Sequence, residues 1–191
     1  MSHASIVLLP GRLLTEPELR SAALDGEVTT LGEGYLPLDT PLTPFARAHS
    51  LAPLLVEPRI LLSHRTAAWV WGWLPAQPAI ATSVPVGARI SSGRRRRLGT
   101  REVVINESDV RRWGSVGVTT PERTLLDLAR HDDGDDVIEL LARALRDQPA
   151  LHDGVLAHLG RTRRTSHSRR ARSRLDAAAA LANGDQPLLT R

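Results

Sequence analysis

Lysine and cysteine do not occur in this chain of 191 residues, and aromatic side chains are scarce: one Tyr, one Phe and four Trp. Without cysteine there are no disulfides and no thiolate metal sites. Without lysine, a nuclease centre of the D…E-x-K type cannot be assembled. Arginine cannot replace it as a base, because it keeps its proton at neutral pH. No apolar run approaches the ~20 residues that cross a bilayer, so no membrane partner is expected. The early run ASIVLLPG is short, contains proline and lacks a basic leader, so it does not read as a signal peptide. A cytoplasmic protein is the expectation. The seven histidines show no i,i+4 pair. There is no phosphate-cradling glycine loop and no G-x-S-x-G elbow. No catalytic residue, metal or cofactor is therefore assigned.

What is present is a normal apolar fraction, 41%, enough for a real core, and a cationic complement that is entirely arginine. The formal net charge of +4 is unevenly spread. Arginines cluster at 94–97 (RRRR) and along 161–174 (RTRRTSHSRRARSR), while acids gather at 132–136 (DDGDD). The guanidinium fork suits phosphate and guanine edges, and clustered basic charge points weakly to nucleic acid.

Read for organisation, the chain predicts an α+β protein. Residues 15–24, TEPELRSAAL, read as a helix with Thr15 as cap, Pro17 and two glutamates in its first turn, and a stop at Asp25-Gly26. EVTTLGEGYLPLD (27–39) reads as a short hairpin. Helix then hairpin is the order at the end of a winged helix, with little chain in front of it. This gives a winged-helix-like unit over 1–40, then a mixed α/β domain over 45–160 and a basic C-terminal helix over 161–191. Within the α/β domain, helices are expected at 45–55, 64–71, 119–130, 137–147 and 150–159. Strands are expected at 80–86, 101–108 and 115–119, with residues 87–100 as a polar loop. The 119–130 helix is the best marked: Thr120 caps it, Pro121 opens it, and Leu125, Leu128 and Ala129 share a face.

Three of the four tryptophans crowd into LLSHRTAAWVWGWLP, 61–75. Exposed, they would make a stacking platform for bases. The helix is apolar nearly all round, however, which favours burial, so Trp69, Trp71 and Trp73 are read as a core anchor. The spacing permits a cation–π contact from Arg65 to Trp69, and His64 is read as a structural hydrogen-bonding group.

The arginines admit two readings. Arg94, Arg95, Arg96 and Arg97 form either a solvated loop or an arm for phosphates. Arg169, Arg170 and Arg172 fall at a helix start, where the dipole disfavours positive charge. Either nucleic acid or the 132–136 acids folding back would offset that cost.

The series LTEPELRSAAL…EVTTLGEGYLPL, LLSHRTAAWVWGWLP and VGVTTPERTLLDLAR, over about 5–147, resembles the actinobacterial AbiEi-like antitoxins, the transcriptional-regulator halves of type IV toxin–antitoxin pairs. The resemblance implies an N-terminal winged helix on operator DNA and a C-terminal α/β domain needed for antitoxicity. It also implies autorepression and a nucleotidyltransferase-like toxin as partner; a homodimer is left open. DNA contacts would come from Arg12, Thr15 and Arg20 in the helix–hairpin unit, from Arg94, Arg95, Arg96 and Arg97, and from Arg163, Arg164, Arg169 and Arg170. The alternative is a protein-interaction module that neutralises a toxin by contact, without DNA. An enzymatic reading, a relic nuclease, is weak for want of lysine and of a metal constellation.

Overall fold

The computed structural model describes residues 7–88, 90–161 and 167–184. The chain is α+β and divides into two compact units, one ending at Val118 and the other beginning at Thr119.

The first unit opens with α1 (Glu16–Leu24) and a hairpin, β1 (Val28–Leu31) and β2 (Gly34–Pro37), in antiparallel register with Leu31 opposite Gly34. Thr15 caps α1: its backbone N–H and its hydroxyl both donate to Glu18 Oε2, each at 2.7 Å. The hairpin's two faces have different tasks, because successive strand side chains point oppositely. Val28 and Tyr35 pack with Leu19 of α1 in a small cluster. Leu31 and Leu36 enter the main core. The tight turn between the strands needs Gly32, at φ +57, since a Cβ there would lie 2.3 Å from Ser50 Oγ. The sequence boundary near residue 40 is therefore not a gap in packing: the helix and hairpin belong to the same compact unit as the sheet that follows.

That sheet has five strands in the order β5-β4-β3-β7-β6. They are β3 (Leu61–Leu62), β4 (Thr82–Pro85), β5 (Thr100–Val103), β6 (Val110–Trp113) and β7 (Val116–Thr119). β3 runs antiparallel to β4 and parallel to β7, and β4 runs parallel to β5. Helices α2 (Pro44–Ser50) and α3 (His64–Val70) belong to the same unit. The single helix expected over 45–55 is interrupted: α2 gives way to a 3-10 turn at Ala52–Leu54, where Pro53 supplies no amide hydrogen. Three strands were expected and two more exist. A strand as short as β3 is hidden inside an apolar run, and β6 is an edge strand with exposed arginines at both of its central positions.

The loop expected over 87–100 contains a helix, α4 (Ser92–Arg97). Four arginines are good helix formers and stand in its last turn, where the dipole favours cations. Leu98, 3% exposed, seats its C-terminal end.

The second unit is helical: α5 (Pro121–His131), α6 (Val137–Asp147), α7 (Leu151–Arg161) and α8 (Ser168–Gly184). Ala171, Leu175, Ala178 and Ala182 make one buried stripe on α8, which packs on α5 and α6. Small side chains there allow close helix approach.

Candidate nucleic-acid interface

The two most distinctive motifs of the sequence hold the fold together. In SHRTAAWVWGWLP, Trp73 and Trp69 are 1% and 3% exposed and Trp71 is half-buried, as the anchor reading expected. Trp71 lies 5.7 Å from Trp113, centroid to centroid. Arg47 lies over the Trp69 ring, its guanidinium carbon 5.2 Å from the centroid. Arg47 Nη1 also donates to the Trp69 carbonyl at 2.8 Å and to that of Leu74 at 3.2 Å. That pairing joins α2 to α3 and lies outside any local spacing rule. Ser83 Oγ donates to Ser63 Oγ at 2.8 Å, and His64 Nδ1 sits 3.1 Å from the same oxygen. His64 takes φ +51, a conformation uncommon for a residue with a Cβ. This Ser–Ser–His cluster was not read from the sequence, and it is closed into the core, with His64 7% exposed.

In TTPERTLLDLAR, the Thr120 side chain accepts from the Arg123 amide at 3.3 Å. The Thr119 and Thr124 hydroxyls meet at 2.7 Å. Arg123 Nε donates to both oxygens of Asp127, at 3.0 and 2.9 Å, with both side chains buried. Burial pulls Arg130, on the same helix, below the usual arginine range. Thr119, Arg123, Thr124, Asp127 and Arg130 are all buried.

The arginines assigned to DNA sort into engaged and exposed. Arg94 is paired with Glu57, and Arg95 Nη2 contacts Glu102 Oε1 at 2.6 Å. Arg96 and Arg97 are exposed, as is Arg101 on β5. Among the described residues none of these three is paired with a carboxylate. Arg95, Arg96 and Arg101, with Ser92, Thr100 and Ile90, line an open cleft of about 730 Å³ beside α4. Arg101 is a basic residue that sequence reading did not include. Its signal was weak: a lone arginine in a strand, brought beside α4 by the turn at Gly99.

In the second unit, the acids fold back on the basic helix. Arg170 Nη2 contacts Asp133 Oδ1 at 2.5 Å. Arg174 Nη1 donates to the carbonyls of Asp132, at 2.6 Å, and Ala129, at 3.2 Å. These are carbonyls at the end of α5, where a cation is favoured. Of the two offsets open for the helix start, the acidic one is present for Arg170. Arg169 and Arg172 remain exposed. Arg163 and Arg164 lie outside the described residues.

The helix–hairpin head has the opposite electrostatics. Arg20 Nε is bonded to Glu16 Oε1 at 2.9 Å, and Tyr35 donates to the same oxygen at 3.1 Å. Thr15 is occupied as the cap of α1. Arg12 is exposed. Across 12–39 the only cations are Arg12 and Arg20, against six acids: Glu16, Glu18, Asp25, Glu27, Glu33 and Asp39. A surface with that balance repels a phosphate backbone.

Among the described residues, no three His, Asp or Glu side chains are arranged to hold a metal ion, and no helix is long and apolar enough to cross a membrane. No family model and no curated protein matches the chain. Among solved structures, it is similar to the RV2827C protein of Mycobacterium tuberculosis, at 18% identity, over 92% of this chain and 71% of that one, with a TM-score of 0.47.

Proposed function

We propose that this protein is a non-catalytic, antitoxin-type transcriptional regulator that grips operator DNA mainly through the basic corner formed by α4 and β5. The observation that carries this reading is the exposure of Arg96, Arg97 and Arg101 on neighbouring elements, none paired with a carboxylate among the described residues, with Arg96 and Arg101 lining an open cleft. Each phosphate neutralised by such a group adds salt-dependent affinity through counterion release. In this reading Arg169 and Arg172 on α8 add further contacts. The head contributes little, because its one helical arginine is already paired and its surroundings are acidic. The regulator works within a toxin–antitoxin pair whose toxin is nucleotidyltransferase-like, in the cytoplasm. It needs no cofactor.

Gel shifts with the DNA upstream of its own gene, at rising salt, test the reading. Retardation at about 50 mM salt that fades by about 200 mM, with a log–log slope that falls by about 1 for each arginine removed, is the expected result. Absence of any retardation at the lower salt defeats it.

A second reading is favoured by the head itself. Its six acids are accompanied by exposed apolar side chains, Leu13 at 83%, Leu24 at 90% and Leu38 at 64%. This is a surface suited to a basic protein partner, so toxin neutralisation by direct contact through the head is the alternative. Pull-down with the neighbouring gene's product, compared between the wild type and a Leu24→Ser variant, separates the two readings.

A further inference from the structure

We propose that the cleft between α4 and β5 is a discrete binding site for a phosphate group, with Arg96 and Arg101 as its primary forks and Arg95 as a third that Glu102 holds in reserve. The inference deepens the nucleic-acid reading by naming the group recognised, but the site is argued from its own geometry.

The construction begins at Gly99. It takes φ +53, and a Cβ at this position would lie 2.7 Å from the Ile80 carbonyl oxygen, which is backbone and cannot step aside. Only glycine lets the chain reverse this tightly, and the reversal brings β5 back beside α4. Arg95 and Arg96, from the last turn of the helix, and Arg101, from the strand, therefore line one cleft. Thr100 forms a fixed wall, its hydroxyl bonded to that of Thr82 at 2.8 Å. Ile90 adds an apolar surface and Ser92 a hydroxyl.

Guanidinium groups bind phosphate through paired N–H donors, and such charge-assisted bonds are the strong ones. Three guanidinium groups converging on one cleft repel each other unless an anion joins them. One carboxylate, Glu102, is bonded to one of the three, Arg95, at 2.6 Å. That leaves two for an incoming anion. The cleft is wide and open to solvent, so it suits a phosphate group gripped from one side while the rest of its molecule stays in water. A phosphate entering the cleft competes with Glu102 for Arg95, so the carboxylate acts as a built-in rival that weakens binding. The phosphate can come from a nucleic-acid backbone or from a free nucleotide; both offer the same oxygens.

Calorimetric titration of the full-length protein with inorganic pyrophosphate tests the site, with duplex operator DNA as the second ligand. Circular dichroism checks that the variants are folded. Pyrophosphate is expected to bind the wild type, and Arg96→Gln with Arg101→Gln to weaken it by about tenfold or more, the loss of two charge-assisted contacts. Glu102→Gln is expected to tighten binding severalfold, and Arg111→Gln, on the opposite edge strand β6, to leave it unchanged. Pyrophosphate binding that is lost in the double variant, in a protein that ignores DNA, supports the site with a free phosphorylated ligand and defeats only the nucleic-acid reading. Pyrophosphate that fails to bind, or binds the double variant as well as the wild type, overturns the site. If DNA is still gripped in that case, the nucleic-acid reading survives through other arginines.

Discussion

At the scale of single residues, each arginine's partner decides what it is available to do. Arg170 and Arg94 carry the same charge as Arg96, yet each is already answered by a carboxylate. Substituting Arg96 and Arg97 with Gln is expected to lower the salt slope of DNA binding by about 2, whereas Arg170→Gln should change it little. The Arg94 pairing was not legible in the sequence, because Glu57 lies 37 positions before it, whereas for Arg170 the 132–136 acids were one of the two partners the sequence left open. What the sequence did show was where basic charge accumulates; which of it is spent internally is a tertiary fact. His49 offers a different residue-level test. Its ring lies 4.2 Å from that of Phe45. Burial first, and the nearby Arg12 charge second, hold it below the ordinary histidine range. A depressed histidine takes its proton more readily in the unfolded chain, so its contribution to stability is complete above the unfolded value of about 6.5. That contribution shrinks as pH falls from there toward the lower folded value. Thermal melts should show stability falling over that interval, and His49→Gln should flatten the fall; an unchanged pH profile in the variant would count against this.

At the scale of elements, α5 and α6 were readable because every local signal agreed. Thr120 and Pro121 mark the start of α5, and the apolar residues of both helices recur at three and four. α4 was missed for the converse reason. Its sequence, SGRRRR, has no apolar face, and the residue that fixes it in place, Leu98, stands just beyond its end. β6 was missed because Arg111 and Arg112 give it no buried alternation, which is how an edge strand discourages pairing with another chain. The agreement of signals in α5 has an energetic counterpart. Replacing Thr120 by Ala removes the acceptor for the Arg123 amide and should cost about 0.5–2 kcal/mol. Replacing Arg123 by Ala strands the Asp127 carboxylate in the interior and should cost about 3–5 kcal/mol. Urea denaturation of the two variants against the wild type checks the order; a milder effect from Arg123→Ala than from Thr120→Ala would show that Asp127 finds another partner or is neutralised by a proton.

At the scale of the molecule, a net charge of +4 hides a polarity. The head carries six acids against two arginines, while the α4–β5 corner presents three exposed guanidinium groups within a few residues. A winged helix that reads DNA puts a helix into the major groove and needs cations around it. Here the order of elements survives, but α1 bears Glu16 and Glu18 and its one arginine is bonded to the former. Fold order and charge therefore point to different surfaces, and charge governs approach to a polyanion. Hydrogen exchange on the protein with and without operator DNA decides between them. Amides of 92–104 should gain protection on binding, and those of 16–37 should not. The head's exchange is a fair control, because Leu31 and Leu36 tie the hairpin to the main core and would report any general tightening of the first unit. Protection confined to 16–24 would return recognition to α1, despite its acids, and leave the arginine corner as solvated surface.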